Sequence, residues 1–412
     1  RNIPRRPAQT TLIVVGLMLS TMIIAASLGV GDTITNSIRS FVVIDGLGHT
    51  DEIIRSPTLA FLGDDYLDQS DLDLVHAATD GDDRIDGVMA LIVERLPITS
   101  PKSGRTEARA DVRGVDIDGA ADFGELTSID GANVTLGQLA LGEIYINVDT
   151  ANNIDAVAGD SVIIVTPTGR HDFVVRAVLE RGGLASTDPR VLMGLPEMQR
   201  IMDREGQFNR VDISNRGDVL GGLELSDDVT DDLRLKFLRP DIADELFEVL
   251  KGDVIADAID TRLETAEISG GLADDLSELA EELRKPDRSD RFAVLMADDG
   301  VAVSVVAGLE EAGFHEQALQ ALPLALELPL LRVSDIKSFL VELAELFGTI
   351  FTLFFMIFGS FSIIVGLLLI FLVFVMLAAA REQEMGMARA IGTKRGHLIR
   401  LFTFEGSAYA LL

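Results

Sequence analysis

The 412-residue sequence contains no cysteine and no tryptophan, and only 3 tyrosines and 5 histidines. Without cysteine, neither disulfide bonds nor thiol chemistry are available, so every folded part depends on an ordinary hydrophobic core. The histidines are scattered along the chain, and neither G-x-S-x-G nor H-E-x-x-H occurs. Nothing in the sequence therefore nominates a catalytic triad or a zinc-protease site.

Positive charge is also scarce. The chain has six lysines, and its 35 Lys and Arg stand against 66 Asp and Glu. Setting aside eight basic and three acidic residues outside 31–345 leaves 27 basic and 63 acidic side chains there, a net charge of −36. Such a field repels nucleic acid and anionic lipid headgroups, so we expect neither as a partner of this segment.

The abundant aspartate suggests an organism that uses surface carboxylates to hold water at high salt. Acidic clusters such as Asp80–Asp83 and Asp227–Asp228 lack the spacing of an EF-hand, so no metal site is predicted.

Long apolar runs do occur, and they indicate a membrane protein. A membrane helix needs roughly 20 apolar residues, which 11–30 and the charge-free run 346–380 both supply. The second run would reach roughly 50 Å as a helix, so we expect its outer end to project as a stalk. A third run, 401–412, is read as the start of another span, and the chain as a fragment.

Basic residues flank these runs on one side of the membrane. They are Arg1, Arg5 and Arg6 before the first run, and Arg381, Arg389, Lys394, Arg395 and Arg400 after the second. Because positive residues stay inside, 1–10 and 381–400 are predicted to be cytoplasmic and 31–345 extracytoplasmic, in a multi-pass protein of the cell membrane. A cleaved signal peptide at 11–30 is disfavoured, since the run is long and no clean A-x-A site precedes Asp32.

The extracytoplasmic segment is predicted to have an α+β fold with an inserted, acidic helical lobe at about 218–325. Alternating patterns and turn residues predict strands at Val88–Val93, Arg109–Val115, Glu143–Asn147, Ser161–Thr166, Asp172–Leu179, Arg190–Met193 and Asn209–Ile213. Apolar periodicity predicts helices at Thr150–Ala158, Leu195–Arg204, Asp241–Leu250 and Leu272–Leu283. Phe292–Leu295 and Val301–Val306 are predicted as strands, and Ser334 as the cap of the helix that leads into the second span.

The turn after the second run has the most specific composition. Residues Glu384–Arg395 read EMGMARAIGTKR. Gly386, Ala390 and Gly392 would permit close approach of a partner surface, and Arg389 offers a charged contact beside them. A basic membrane flank alone does not require small residues at these spacings. The segment resembles the loop between the second and third spans of FtsX/MacB-like permeases of ABC transport systems.

Two further segments are similar to the same family. Arg1-Asn2 and Arg5-Arg6-Pro7, followed by a span and Gly31-Asp32, look like the family's start. Residues 144–213 resemble the MacB-like periplasmic core, with its turn at Val157–Asp160.

The resemblance implies a permease subunit that dimerises, or forms a pseudo-dimer, and docks a separate cytoplasmic ABC ATPase. The implied coupling residues are Glu384, Gly386, Arg389, Ala390, Gly392, Lys394 and Arg395. ATP and Mg²⁺ would be bound by the partner, and this chain would hold no cofactor. Motion of the outer part would serve export, lipoprotein release or mechanotransmission, with membrane lipid and an extracytoplasmic accessory protein as further candidate partners.

The chain itself is not expected to be an enzyme, because no G-x-x-x-x-G-K-[ST] phosphate loop occurs. Residues 268–272 resemble an ABC signature loop only superficially and are read as a turn between helices. Glu405, near the start of the third run, is either a functional ionisable group or a partner of Arg400. The alternative function is a membrane-anchored extracytoplasmic sensor or adhesion module without an ATPase.

Overall fold

A computed structural model of the chain describes residues 46–57, 65–265, 268 and 270–380, with scattered positions before 46 and after 380. The chain divides into two compact units, residues 39–342 and the remainder, 1–38 with 343–412. We call residues 39–342 the outer domain. The predicted spans at 11–30 and 401–412 lie outside the continuously described ranges.

The outer domain is built on one nine-stranded sheet, with a separate two-stranded ribbon. In chain order the strands are β1 (Glu52–Arg55), β2 (Ile85–Thr99), β3 (Thr106–Val115), β4 (Leu126–Thr127), β5 (Asn133–Val134), β6 (Glu143–Asn147), β7 (Ser161–Thr166), β8 (Gly169–Leu179), β9 (Arg190–Gly194), β10 (Arg210–Asn215) and β11 (Arg332–Asp335). The large sheet has the order β11-β1-β10-β2-β3-β9-β6-β8-β7.

The sheet curls back on itself at one end. Strand β7 pairs with β8 and also with the far end of β2, where Ile98 lies opposite Ile164. The strands from β2 to β7 therefore form a closed ring, whereas β10, β1 and β11 extend from β2 as an antiparallel flap. Among the strands that the structure describes, only β3 with β9 and β6 with β8 pair in parallel.

Local sequence explains the clearest of these strands. Strand β8 alternates exposed and buried positions along its first part, as a half-buried strand does. Gly169 begins it with φ +143°, which glycine adopts without strain. The strands predicted between Glu143 and Ile213 are confirmed within three residues at each end.

Eleven helices occur among the described residues outside short 3₁₀ turns. They are α1 (Gln69–Thr79), α2 (Val148–Ile154), α3 (Leu195–Met202), α4 (Leu223–Lys236), α5 (Pro240–Leu250), α6 (Asp253–Thr265), α7 (Gly271–Leu283), α8 (Asp290–Met296), α9 (Asp299–Glu311), α10 (His315–Glu327) and α11 (Ile336–Ala380). Two of them have clear start signals: Asp68 and Asp71 form a capping box on α1, and Pro196 lies in the first turn of α3.

Three hydrophobic cores organise the outer domain, and the smallest of them, around Phe123 and Tyr145, covers the other face of the sheet's strands β2, β3, β6 and β9. The sheet core joins α1, α3 and α4 to the strands, with Val229 and Leu233 of α4 fully buried in it. A second core, within residues 238–328, is made by helices α5 to α10. We call these six helices the helical lobe. Helix α4, although inside the predicted insertion at about 218–325, packs on the sheet.

The strands predicted at Phe292–Leu295 and Val301–Val306 are wrong, because these residues lie in α8 and α9. A short apolar run does not distinguish a strand from a helix buried on all sides, and Phe292 to Met296 are all buried. The caps decide the outcome: Ser289 accepts from the N–H of Phe292, and Asp298 accepts from that of Val301.

The predicted cap at Ser334 is also wrong. Ser334 lies in β11, and Asp335 accepts from the N–H of Ser338 at 2.8 Å. The long helix therefore begins directly at the end of a strand.

Candidate functional site: the start of the long helix

The outer domain begins and ends on neighbouring strands. Glu52 in β1 lies opposite Asp335 in β11, and β1 also pairs with β10. The N–H groups of Ile336 and Lys337, the first residues of α11, point to the carbonyl of Asp51 at 3.2 and 3.3 Å. The segment that enters the domain is therefore hydrogen-bonded to the helix that leaves it.

A buried ion pair strengthens this connection. The Lys337 Nζ lies 2.6 Å from Asp51 Oδ1, and the two side chains are 0% and 1% exposed. Lys337 also donates to the carbonyl of Val219 at 2.9 Å, while the N–H of Asn215 donates to Asp51 Oδ2 at 2.8 Å. Burial raises the pKa of Asp51, and the Lys337 charge opposes that rise. A pair so dehydrated is costly to break, because each partner would leave the other charge uncompensated.

Two more carboxyl groups lie beside the pair. Glu52 is fully buried, and it accepts from the Asn215 amide at 2.7 Å through one oxygen only. Burial, followed by the nearby Asp51 charge, raises the pKa of Glu52 well above its usual range. Burial also raises the pKa of Asp335 to about 6. We call Asp51, Glu52, Asn215, Asp335 and Lys337 the junction cluster.

Close backbone packing seals the junction cluster. A Cβ at Gly222, in the loop between β10 and α4, would lie 2.7 Å from Asp51 Oδ2. Farther along β10, Arg210 forms a buried ion pair with Asp212, which also accepts from the Thr50 hydroxyl at 3.0 Å. Through Asp51 and Lys337, the cluster joins the segment before β1, the loop after β10 and the start of α11.

The helix that starts here is unusually long and apolar. Helix α11 has 45 residues, about 67 Å at 1.5 Å per residue. Beyond the outer domain, most of the large apolar side chains that the structure describes are exposed, among them Phe354, Phe361 and Phe371. Exposed apolar side chains along such a helix need lipid or another apolar partner.

Within the described residues one helical segment, Ile336–Phe358, is long and apolar enough to cross a membrane. Helices α8 and α9 are long and apolar enough for a membrane span only if they are counted as one segment across the 88° bend between them. Their apolar residues instead fill the core of the helical lobe. Since Lys337 is buried in the outer domain, the exposed apolar part of α11 begins after its first turns.

The structure describes only part of the predicted coupling segment. Gly386, Ala390, Gly392 and Lys394 are exposed, and Gly392 has φ +96°. A Cβ at Gly386 or Gly392 would meet no atom within 4 Å, so both have open space around them. The predicted site residues Glu384, Arg389, Arg395 and Glu405 lie outside the described residues.

The junction cluster is a feature that sequence reasoning missed. Asp51 and Lys337 lie at opposite ends of the domain, and no local pattern relates them. The available signal was Lys337 itself, one of six lysines, placed in the first turn of a helix that becomes wholly apolar. A charge at such a position needs a buried partner.

Comparison with known family models finds a match at the C-terminal end of the sequence. Residues 356–412 match the family model described as FtsX-like permease C-terminal, which confirms the FtsX-like resemblance over those residues. This match includes the end of α11 and the whole predicted coupling segment.

Two solved structures resemble part of the chain. The periplasmic region of MacB from Actinobacillus actinomycetemcomitans has 11% identity and a TM-score of 0.33, over 45% of this chain and 83% of that one. The extracellular domain of the noncanonic ABC-type transporter YknZ from Gram-positive bacteria has 14% identity and a TM-score of 0.32, over 44% and 88%. No curated protein matches the chain.

We expect Lys337→Met to lower the free energy of unfolding by about 3–5 kcal/mol, because it leaves Asp51 buried without a cation. Denaturant titration of the protein in detergent measures this. The matched control is Lys251→Met, whose ammonium pairs with Glu248 on the surface; its effect should stay within about 1 kcal/mol. The double change Asp51→Leu with Lys337→Met should recover most of the loss, and equal effects of the two lysine changes would contradict the argument.

Asp335 should make stability fall as the pH rises. Its pKa is about 6 in the folded protein and lower when unfolded, so the folded state binds more protons between about pH 4 and pH 6. Asp335→Asn keeps an oxygen that caps Ser338 and removes the titration. The variant should therefore gain stability relative to wild type from pH 4 to pH 7, measured by unfolding at each pH. Asp287→Asn is the exposed control, and parallel curves for Asp335→Asn and wild type would disprove the prediction.

Proposed function

We propose that this chain is the permease subunit of an ABC transport system and works without nucleotide chemistry of its own. The observation that carries the proposal is the match of residues 356–412 to the FtsX-like permease C-terminal family. The lack of a phosphate loop in the sequence agrees with it, because ATP and Mg²⁺ would then be bound by a separate ATPase subunit.

The proposed location is the cell membrane, with the outer domain on the extracytoplasmic side. The exposed apolar length of α11 and the basic residues that follow it support this orientation. Residues 11–30 would supply the first span. A multi-pass topology remains a prediction from the apolar runs.

The proposed ATPase contact is the segment Glu384–Arg395. Open space around Gly386 and Gly392 would allow a partner surface to approach the backbone, while Arg389, Lys394 and Arg395 would face acidic groups on that partner. Two copies of the permease, or one copy and a homologous subunit, would place two such segments against two ATPase subunits.

We further propose that α11 transmits motion between the ATPase contact and the outer domain. A continuous helix carries displacement along its axis, and the Lys337–Asp51 pair holds its outer end to the sheet. In this mechanism the output is movement of the outer domain, which would drive export, lipoprotein release or a signal to an accessory protein.

The ATPase contact is tested by co-purification of the full-length protein with its cognate ABC ATPase. Arg389→Glu reverses a charge and Gly386→Trp fills open space, so both should abolish the complex while the permease stays inserted and folded. Lys251→Glu in the outer domain is the control and should bind as wild type does. No ATPase bound to wild type, or binding indifferent to both loop changes, would favour the sensor module instead.

The helix is tested by insertions after Glu345. One inserted residue rotates the rest of α11 by about 100°, whereas seven add about two full turns and nearly restore the phase. The cysteine-free chain allows Leu141→Cys, 87% exposed, to carry a spin label. In the assembled complex, the distance between the two labels should change when ATP binds. We expect this change to vanish in the variant with one inserted residue and to persist in the variant with seven, while both variants still bind the ATPase. An unchanged response in the one-residue variant would refute the transmission of motion through α11.

A further inference from the structure

Helix α10 of the helical lobe places small residues toward the core and large apolar residues toward solvent. Ala318, Ala321 and Ala325 are buried in the core of the lobe. Leu319 and Leu322 are 77% and 43% exposed. A surface helix ordinarily has the reverse arrangement, because burying leucine contributes more to stability than burying alanine. The single chain therefore leaves its largest apolar side chains on α10 without burial.

The outward residues of α10 form one continuous face. Leu319, Leu322 and Leu326 have the i, i+3, i+7 spacing that places side chains on one side of a helix. Pro323 lies between them and is exposed, whereas Leu326 is partly exposed and belongs to none of the three hydrophobic cores of the described residues. We call these four residues the α10 stripe.

The α10 stripe is uncharged, although the outer domain is strongly acidic. Residues 317–326 contain no acidic and no basic side chain. The helix α5, which packs against α10, shows the contrast. Its exposed residues after the first are all acidic: Asp241, Asp244, Glu245 and Glu248. The stripe is thus a place where another surface can approach the lobe without meeting carboxylates.

A lipid surface is a poor match for the stripe. Helices that lie on membranes carry lysine and arginine beside their apolar face, where these residues attract anionic headgroups. Helix α10 has neither residue, and it carries Glu316 and Glu327 near its two ends. Anionic headgroups would be repelled by these carboxylates and by the acidic domain around them.

A second copy of the chain is a better match, because of its charge. Each copy has 63 acidic and 27 basic side chains in residues 31–345, so most pairs of facing surfaces would bring like charges together. Two copies inserted in the same direction in one membrane are related by a two-fold axis, so each uses the same patch in the contact. Such a patch must be complementary to itself, and an uncharged apolar stripe meets this condition.

We propose that two copies of this chain contact each other through their α10 stripes. Leu319, Leu322, Pro323 and Leu326 of each copy pack against the same residues of the other, which removes them from water. The contact rests on the proposed function, since it specifies where the outer domains of the two-copy permease meet.

The cysteine-free chain makes this contact testable by disulfide cross-linking. Leu319→Cys, Leu322→Cys and Leu326→Cys are made singly in the full-length protein, which is reconstituted in liposomes and oxidised with copper phenanthroline. A disulfide needs two Cα atoms within about 7 Å, so at least one variant should give about tenfold more covalent dimer than the controls. The controls are Val254→Cys on α6 and Leu141→Cys, 65% and 87% exposed.

A second substitution tests whether the apolar side chains hold the contact. Leu319→Gln, added to Leu322→Cys or Leu326→Cys, should lower the yield of dimer about fivefold, because its amide would be buried without a partner. Val254→Gln in the same chain should leave the yield unchanged. Raising NaCl from about 0.15 M to about 2 M should not lower the yield, since salt screens the acidic repulsion and does not weaken apolar contacts.

The three cysteine positions are exposed or partly exposed and lie outside the hydrophobic cores, and circular dichroism checks that each variant folds. Equal yields at stripe and control positions, no cross-link at any stripe position, or an equal effect of Leu319→Gln and Val254→Gln would overturn the proposal. The cross-link is read without ATPase. A chain that binds its ATPase but does not cross-link therefore loses only this contact, whereas a chain that cross-links without binding an ATPase keeps it.

Discussion

The buried pair between Lys337 and Asp51 is the interaction on which the arrangement of the outer domain depends. It brings together the segment before β1, the loop after β10 and the first turn of α11, each through a direct contact. Because neither charge has water around it, separating them costs far more than separating a surface pair. These three segments therefore move together, and the long helix cannot shift at this end without the sheet.

The helical lobe joins the sheet through two chain segments that lie side by side. The chain leaves α4 at Phe237 and returns at Leu330, where the N–H of Leu330 donates to the carbonyl of Phe237 at 2.7 Å. Leu238 and Pro329 form an isolated bridge beside it. With its two ends adjacent, the lobe closes its own core without displacing β11 or α4, which is the geometry that tolerates insertions.

The parts of the fold that could be predicted from the sequence are those that depend on contacts between residues close together in the chain. Strands such as β6 and β7 were predictable because turn residues and local patterns define them. Helices α8 and α9 were not, since their apolar runs fit either structure and burial on all sides removes the helical period. The junction cluster joins residues from both ends of the domain, so only the folded chain reveals it, whereas the predicted coupling segment carries its signal within a dozen residues.

The first turns of α11 have two different environments. Lys337 and Val341 are buried in the outer domain, while Ser338, Phe339 and Glu342 lie along a cavity whose walls are mostly acidic. The start of the helix therefore has one side that is fixed by the buried pair and another side that borders open space. In the proposed permease the ATPase would act on the other end of this helix. A change of free energy at either end would then appear at the other, because coupling between two sites is reciprocal.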